Sequence, residues 1–476
     1  MHRAPSIVWF RDDLRLADNP ALVAAAAAGP VLALFVLEEP TAERPVGAAA
    51  RWWLHQSLHA LGRSLARRKV QLVLRRGDPC RIVPQLASEL GAACVYWNRR
   101  YLPEQTAGDA IIKEQLVADG REARSFNGSL LHEPWELRTS SGDYYKVFTP
   151  YWNACLKRAA TAAIPAPLAV PRLSAFAQDV ASDDLDAWSL TPHAPDWAAA
   201  FADTWTPGED GAMQAFERFI MQQRVDTYEA DRDRPGVEGT SRLSPHLRSG
   251  EISPRQLWAA IHEHPARDGA AKFLAEVGWR EFCYHLLFHV NDLTTTNFRA
   301  DFARMPWLYD RAVLRAWQRG RTGYPLVDAG MRQLWQTGWM HNRVRMVVAS
   351  FLTKHLLHDW RHGEAWFWDT LVDADRANNV CGWQWVAGCG ADAAPYFRVF
   401  NPTAQSTRFD PQGVYLRRWL PELAALPDRW IHEPSSAPAG VLREAGVVPG
   451  TTYPRPIVEH GAARQRALDA WATIRG

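Results

Sequence analysis

Three stretches of this chain hold side chains that could do chemistry together. In LVDADRANNVCGWQWVAGCG two carboxylates, Asp373 and Asp375, precede two amides, Asn378 and Asn379, and then two tryptophans that flank a glutamine. Polar groups at that density cost free energy when buried unless each finds a partner. A polar ligand with several donors and acceptors would supply those partners, and Arg343 or Arg345 could balance the carboxylates; a solvated loop is the other reading. In EGTSRLSPHL the hydroxyls of Thr240, Ser241 and Ser244 come just before a helix start, with Pro245 suited to the first helical position. Free N–H groups and the helix dipole there favour an anion, and a diphosphate would suit them, although an ordinary helix cap explains the same residues. From Arg311 to Arg345 there are seven arginines and one acidic residue, Asp328. That imbalance is what a phosphate-tracking surface needs, unless the arginines are spread around a helical surface.

These residues must be held by a large scaffold. At 476 residues the chain exceeds one hydrophobic core, so two or three domains are expected. Over residues 1–135, apolar runs (SIVWF, VLALFVL, VQLVLRRG, ACVYWNRR) alternate with helical stretches, which predicts an α/β domain with a parallel, Rossmann-like sheet covered by helices. No GxGxxG fingerprint accompanies it, so dinucleotide binding by this layer is unsupported. Residues 136–205 lose the pattern and gather proline and alanine, as a connector would. Residues 206–476 read as all-helical, with AMQAFERFIMQQRVDTYEADR, ISPRQLWAAIHEH and KFLAEVGWREFCYHLLFHV as the clearest amphipathic stretches. Of 23 tryptophans, nine fall between Trp307 and Trp385, and most tryptophans in a helical region are core. Six cysteines without a CxxC pair suggest neither a zinc site nor a disulfide framework. The net charge of +2 says nothing of nucleic acid by itself. No apolar run approaches a bilayer span, and the start offers no signal region, so a cytoplasmic protein that stays off membranes is expected.

Over nearly its whole length the sequence resembles the DNA photolyase and cryptochrome family. The resemblance rests on IVWFRDDLRLADNPAL, EGTSRLSPHL, GWREFCYHLL, TGYPLVDAGMRQLWQTGWMHNRVRM, the DADRANN…GWQWVAGCGADAAPYFRVFNP run and YPRPIVEH, long motifs in order. It implies an all-helical domain that holds FAD through Tyr228, the stretch Thr240, Ser241, Arg242, Leu243 and Ser244, and Phe273, Asn342, Arg345, Asp373, Asp375 and Asn379. Asn379 matches the position facing the flavin ring nitrogen that gains a proton on one-electron reduction, and asparagine there resembles photolyases. Trp383, Trp360 and Trp307 match an electron relay from flavin to surface, while Trp317, Trp335, Trp339, Trp366 and Trp368 keep the core reading. A lesion pocket is implied at Glu276, Trp279, Arg280, Asn342, Met346 and Trp385, with Arg232, Arg280, Arg343 and Arg398 as phosphate partners on ultraviolet-damaged DNA; photolyases extrude the damaged bases. The RWWLHQSL stretch resembles members that carry a methenyltetrahydrofolate antenna, with Trp52 or Trp53 as a stacking platform. A deazaflavin antenna, or none, stays open.

The expected activity is light-dependent splitting of cyclobutane pyrimidine dimers by a monomer that needs no metal and no obligate protein partner. Its rival from another class is a cryptochrome photoreceptor, against which stand Asn379 and a chain that stops about two dozen residues after Tyr453. Repair of six-four photoproducts would keep the enzyme class and change the lesion.

Overall fold

A computed structural model describes residues 4–38, 44–262, 264–265, 267–393 and 397–474. By packing, these fall into two compact units: 1–222 with 241–291, and 223–240 with 292–476. The segment 206–222 and the long helix Arg267–His289 thus pack in the same unit as the sheet, and not with the remainder of the helical half.

The first unit is built on five parallel strands, β1 Ser6–Phe10, β2 Val31–Glu38, β3 Leu72–Gly77, β4 Cys94–Asn98 and β5 Glu122–Phe126, in the order β3-β2-β1-β4-β5. Every neighbouring pair is parallel, and Trp9 registers with both Leu34 and Trp97. Side chains alternate along each strand, so the sheet serves two cores: Val8, Phe10, Ala33, Phe35 and Tyr96 face one, and Ile7, Trp9, Leu34, Val95 and Trp97 the other. The four apolar runs became β1 to β4. The fifth strand, EARSF, carries no apolar run because it is a polar edge strand with Ala123 its only fully buried residue. The stretch expected to be a bare connector contains the helix Phe148–Thr161, which buries Tyr151 and Trp152.

Much of the FRDDLRLADNP motif is structural. Arg15 is fully buried and donates to the carbonyls of Asp18 (2.7 Å), Gly128 (2.6 Å) and Gly250 (2.9 Å). Asp18 accepts from Ser253 Oγ (2.5 Å) and from Arg255 Nε (3.1 Å). Glu251, fully buried, accepts from Trp53 Nε1 (3.1 Å), from Ser57 Oγ, and pairs with His246. Glu281 accepts from the N–H of Leu131 (2.7 Å), and burial pushes its carboxyl up to about 7. All these partners lie in the same unit.

The second unit is helical, with only isolated bridges besides among the described residues. Its centre comprises the helices Pro325–Thr337, Asn342–Ser350, Trp360–Thr370 and Arg376–Ala387, and a single π-turn, Phe351–His355. Asp328 ties the unit's late residues in: it accepts from Thr322 N and Oγ1 (both 2.7 Å) and from the hydroxyl of Tyr453 (2.7 Å), which places the YPRPIVEH stretch.

Candidate FAD and lesion site

In the sheet-bearing unit, Glu276, Trp279 and Arg280 lie three and four residues apart on the helix Arg267–His289 and so share one face. Trp279 stacks on Phe148 at a centroid distance of 3.8 Å and 9°. Glu276 is within 3.7 Å of Lys272 Nζ. Arg280 is turned inward: it donates to the Ser129 carbonyl (2.8 Å), sits 3.3 Å from Glu281 and covers the Tyr284 ring at 4.9 Å. A guanidinium so engaged orders the helix face more than it reaches for phosphate. Phe273 is buried against Phe219 at 4.9 Å.

The Thr-Ser-Arg-Leu-Ser stretch does not cap a helix. Helix Ser244–Arg248 is only five residues long, Pro245 stands in its first turn, and no side chain caps it. Arg242 holds the left-handed conformation (φ 55°), so the chain turns sharply between Ser241 and Leu243, where Ser241 Oγ accepts from Leu243 N at 3.4 Å. Ser244 is exposed and Leu243 is buried.

In the helical unit, Asn342, Arg345 and Met346 share one face of the helix Asn342–Ser350. Arg345 donates from Nη2 to Asp373 Oδ2 (2.7 Å) and from Nε to the Met340 carbonyl (2.7 Å). Asp373 is buried, and its Oδ1 has no hydrogen-bond partner among the described residues. Asp375 caps the helix Arg376–Ala387, accepting from Asn378 N and Nδ2 (both 2.7 Å). Asn378 therefore spends its amide on this cap. Arg343 points elsewhere: it is ion-paired with Asp233 and covers the Phe409 ring at 4.4 Å. His341 caps the helix through Nδ1, which accepts from Arg343 N at 3.2 Å. Burial pushes its pKa down to about 3, and Arg345, Arg343 and Arg232 work in the same direction against Asp233, so the imidazole is neutral. Tyr228 is buried beneath the Arg232 guanidinium, 5.8 Å from its ring.

Asn379 is oriented by a residue the sequence did not single out. Its Nδ2 donates to the carbonyl (3.1 Å) and to Oε1 (2.8 Å) of Glu364, which is itself buried. Both partners are acceptors, so the amide cannot be flipped, and Oδ1 is the atom offered away from Glu364. An acceptor in that position suits a protonated ring nitrogen. Only the place of Glu364, a carboxylate between the tryptophans of the helix Trp360–Thr370, could have hinted at it.

Trp383 and Trp360 are fully buried and Trp307 half-buried. Trp383 rests on Gly363, one turn beyond Trp360, where a Cβ would come within 2.0 Å of the indole; only glycine permits that approach. It meets Phe367 at 5.0 Å and Trp317 at 6.2 Å, and its Nε1 has no partner among the described residues. Trp360 donates to Asn297 Oδ1 (2.8 Å). Next to Trp307, Leu308 N donates to the Leu357 carbonyl (2.7 Å). Trp317, Trp339 and Trp368 are core as expected, whereas Trp335 is 51% exposed and stacks on Trp366 at 6.1 Å and 6°. The arginine run also divides. Arg332, Arg343 and Arg345 are paired with Glu422, Asp233 and Asp373, while Arg311, Arg315, Arg319 and Arg321 are exposed.

Trp385 donates to the Asp392 carbonyl (3.0 Å) and lines a cavity with Arg398, Arg299, Lys354, Phe397 and Phe400. Arg398 is exposed. Lys354 lies on the π-turn, 1% exposed, with Nζ 3.5 Å from the centre of the Phe397 ring and no hydrogen bond among the described residues. Burial pushes its pKa down to about 7, with Cys389 opposing weakly. The expected Ala394, Pro395 and Tyr396 of the same run lie outside the described residues. In the sheet-bearing unit Trp52 and Trp53 give a correction: Trp53 is fully enclosed by Trp205 (5.5 Å) and His246 (5.0 Å), and Trp52 packs edge-on to Phe201 (5.3 Å). Both are helix packing, and neither is a free stacking platform.

A five-stranded parallel α/β unit, and a helical unit with an Arg345–Asp373 ion pair and an asparagine held by Glu364, match in known proteins the light-driven flavoproteins of DNA repair. Residues 6–171 match the DNA photolyase family and residues 273–473 match the FAD binding domain of DNA photolyase. A deoxyribodipyrimidine photo-lyase of Agrobacterium fabrum is 51% identical, the match covering 99% of this chain and 98% of that one. Cryptochrome-2 of Arabidopsis thaliana is 38% identical over 99% of this chain and 79% of its own. The crystal structure of a bacterial class III photolyase from Agrobacterium tumefaciens superposes with a TM-score of 0.95 at 51% identity, over 100% of this chain and 98% of that one. The chain belongs to the DNA photolyase family. It is an FAD-binding photo-lyase of light-dependent DNA repair, acting on ultraviolet-damaged DNA, and among the described residues no helix is long and apolar enough to cross a membrane. The residues present fit FAD: Asp373 Oδ1, beside Arg345, is a buried acceptor with no partner among the described residues, as a ligand with its own donors requires.

Proposed function

We propose that the enzyme repairs cyclobutane pyrimidine dimers and leaves six-four photoproducts untouched. One observation carries this reading. The helix face that presents Asn342 and Met346 offers an amide and a thioether, and the adjoining histidine, His341, is buried, neutral and committed to capping. None of the three can act as a general acid near neutral pH. Moving an oxygen between bases requires such an acid, whereas splitting a cyclobutane ring requires stacking, hydrogen bonds and an electron. Six-four photolyases resemble this region but hold a histidine pair at the two positions.

FAD, when bound and reduced, supplies on excitation the electron that starts ring opening. The protein does the rest. Asp373, Arg345, Asp375, Asn379, Tyr228, Phe273 and the Thr240–Ser244 stretch hold the cofactor. Asn379, fixed by Glu364, offers its carbonyl oxygen to a ring N–H. From the helix Arg267–His289, Trp279 stacks on an extruded pyrimidine and Glu276 pairs its edge; Trp385 and Asn342 of the helical unit offer the same kinds of contact, and Arg232 and Arg398 take the flanking phosphates, with Arg343 and Arg280 supporting them from their own ion pairs. Trp307, Trp360 and Trp383 pass electrons inward when the cofactor is oxidised. Residues 1–135 form the antenna domain, 136–205 the connection and 206–476 the FAD domain, and the enzyme works as a cytoplasmic monomer. We favour methenyltetrahydrofolate as the antenna, bound by residues other than Trp52 and Trp53.

Reduced enzyme under blue light, given defined oligonucleotides of each lesion, tests the assignment. Turnover of the cyclobutane substrate alone is expected, and Asn342→Ala should weaken it by leaving the pyrimidine edge less well paired. Turnover of the six-four substrate, or none of the cyclobutane one, overturns it. A signalling photoreceptor would show neither.

A further inference from the structure

The helix Ala48–Ala66 and the turn Asp186–Trp188, both in the sheet-bearing unit, bring together three side chains that repair chemistry does not use. His55 and His59 stand four residues apart on one helical face, their rings 4.7 Å apart at 77°. Both Nε2 atoms point at the same carboxylate oxygen, Asp186 Oδ1, at 3.5 and 3.6 Å. These separations are too long for hydrogen bonds. They match the spacing of ligand atoms on a tetrahedral zinc ion, where bonds of about 2.0–2.2 Å set neighbouring ligands roughly 3.4 Å apart. All three ligand atoms lie within 4.8 Å of one another, so closing the triangle takes a rotamer adjustment and no backbone shift.

The surroundings favour a ligand there over a plain ion pair. His55 is 8% exposed and its Nδ1 has no hydrogen-bond partner among the described residues. Asp186 is 75% exposed and His59 43%, which leaves an open side for a water as fourth ligand. Two imidazoles and one carboxylate suit a borderline divalent ion, with no thiolate to select copper(I).

We propose that His55, His59 and Asp186 form a binding site for one divalent transition-metal ion of the zinc class, which clips the helix Ala48–Ala66 to the segment that follows residue 180. The site is a structural staple, separate from the flavin and lesion residues.

Tag-free, chelator-stripped protein titrated with Zn2+ by calorimetry and with Co2+ by visible absorption tests this. One equivalent should bind, Co2+ should give the strong absorption of four-coordinate cobalt, and Zn2+ should displace it and raise the unfolding midpoint. His59→Ala and Asp186→Asn remove exposed ligands on a folded surface, and far-UV circular dichroism checks that each variant folds. Each should weaken binding by more than the about tenfold that loss of an outer-shell partner costs, and abolish both the cobalt band and the thermal shift. Absence of saturable binding, a six-coordinate spectrum, or a site that survives both substitutions overturns the proposal.

Discussion

Replacing Lys354 by methionine should stabilise this enzyme at neutral pH. The ammonium is enclosed on the π-turn, with the Phe397 ring on one side and no ion pair to a carboxylate among the described residues. Burial depresses its pKa from 10.5 to about 7, and that difference corresponds to about 5 kcal/mol against the folded state. The cation–π contact at 3.5 Å returns about 2 kcal/mol, leaving roughly 3 kcal/mol. Methionine fills nearly the same volume, and its thioether suits an aromatic wall. In a chain of this length the gain should raise the unfolding midpoint by about 5 °C. The pH dependence has a definite sign. Because the folded pKa lies below the unfolded one, the unfolded chain binds more protons between about 7 and 10.5, and the lysine's penalty is full at and below pH 7. It fades as pH rises, by up to about 1.4 kcal/mol per unit. Unfolding midpoints of wild type and Lys354→Met, followed by tryptophan fluorescence at pH 7 and pH 9, therefore decide the matter. A variant less stable at pH 7, or one whose advantage is the same at both pH values, would refute the reasoning.

Two further expectations concern the tryptophan and asparagine positions. Trp383→Phe should block light-driven reduction of the oxidised flavin by at least tenfold while enzyme already reduced by dithionite repairs normally; unchanged photoreduction would make Trp383 packing alone. Glu364→Ala removes the side-chain acceptor of Asn379 Nδ2 and leaves only the backbone carbonyl of residue 364 to orient the amide, and should slow photoreduction severalfold with lesion binding intact. Equal photoreduction rates in variant and wild type would remove the orienting role of Glu364.

The parallel sheet was legible because β1 to β4 are apolar runs bounded by turn residues, and the long helices because their periodicity is strong. EARSF was not, since an edge strand needs no continuous apolar face. The polar cluster at residues 373–379 was visible as a density of groups that must be paired, but its wiring was not. Nothing in a linear pattern says that Asp375 and Asn378 would satisfy each other, or that Glu364 would claim Asn379. Trp52 and Trp53 show the converse: a resemblance pointed to a chromophore platform, whereas Glu251, some two hundred positions on, draws one indole into the core. Long-range pairing of that kind leaves no local trace.

The chain's route between its two packing units bears on how the protein is made. Synthesis delivers the five strands first, and residues 241–291 only later, after residues 223–240, which pack in the other unit, have emerged. Until that return, Arg15 lacks the Gly250 carbonyl, Asp18 lacks Ser253 and Arg255, and the Leu131 amide lacks Glu281. Charges without partners resist burial, so the nascent sheet must keep this edge hydrated while more than a hundred residues emerge. The amino-terminal layer is therefore a late-finished structure, closed by the segment that also carries Trp279 and Glu276.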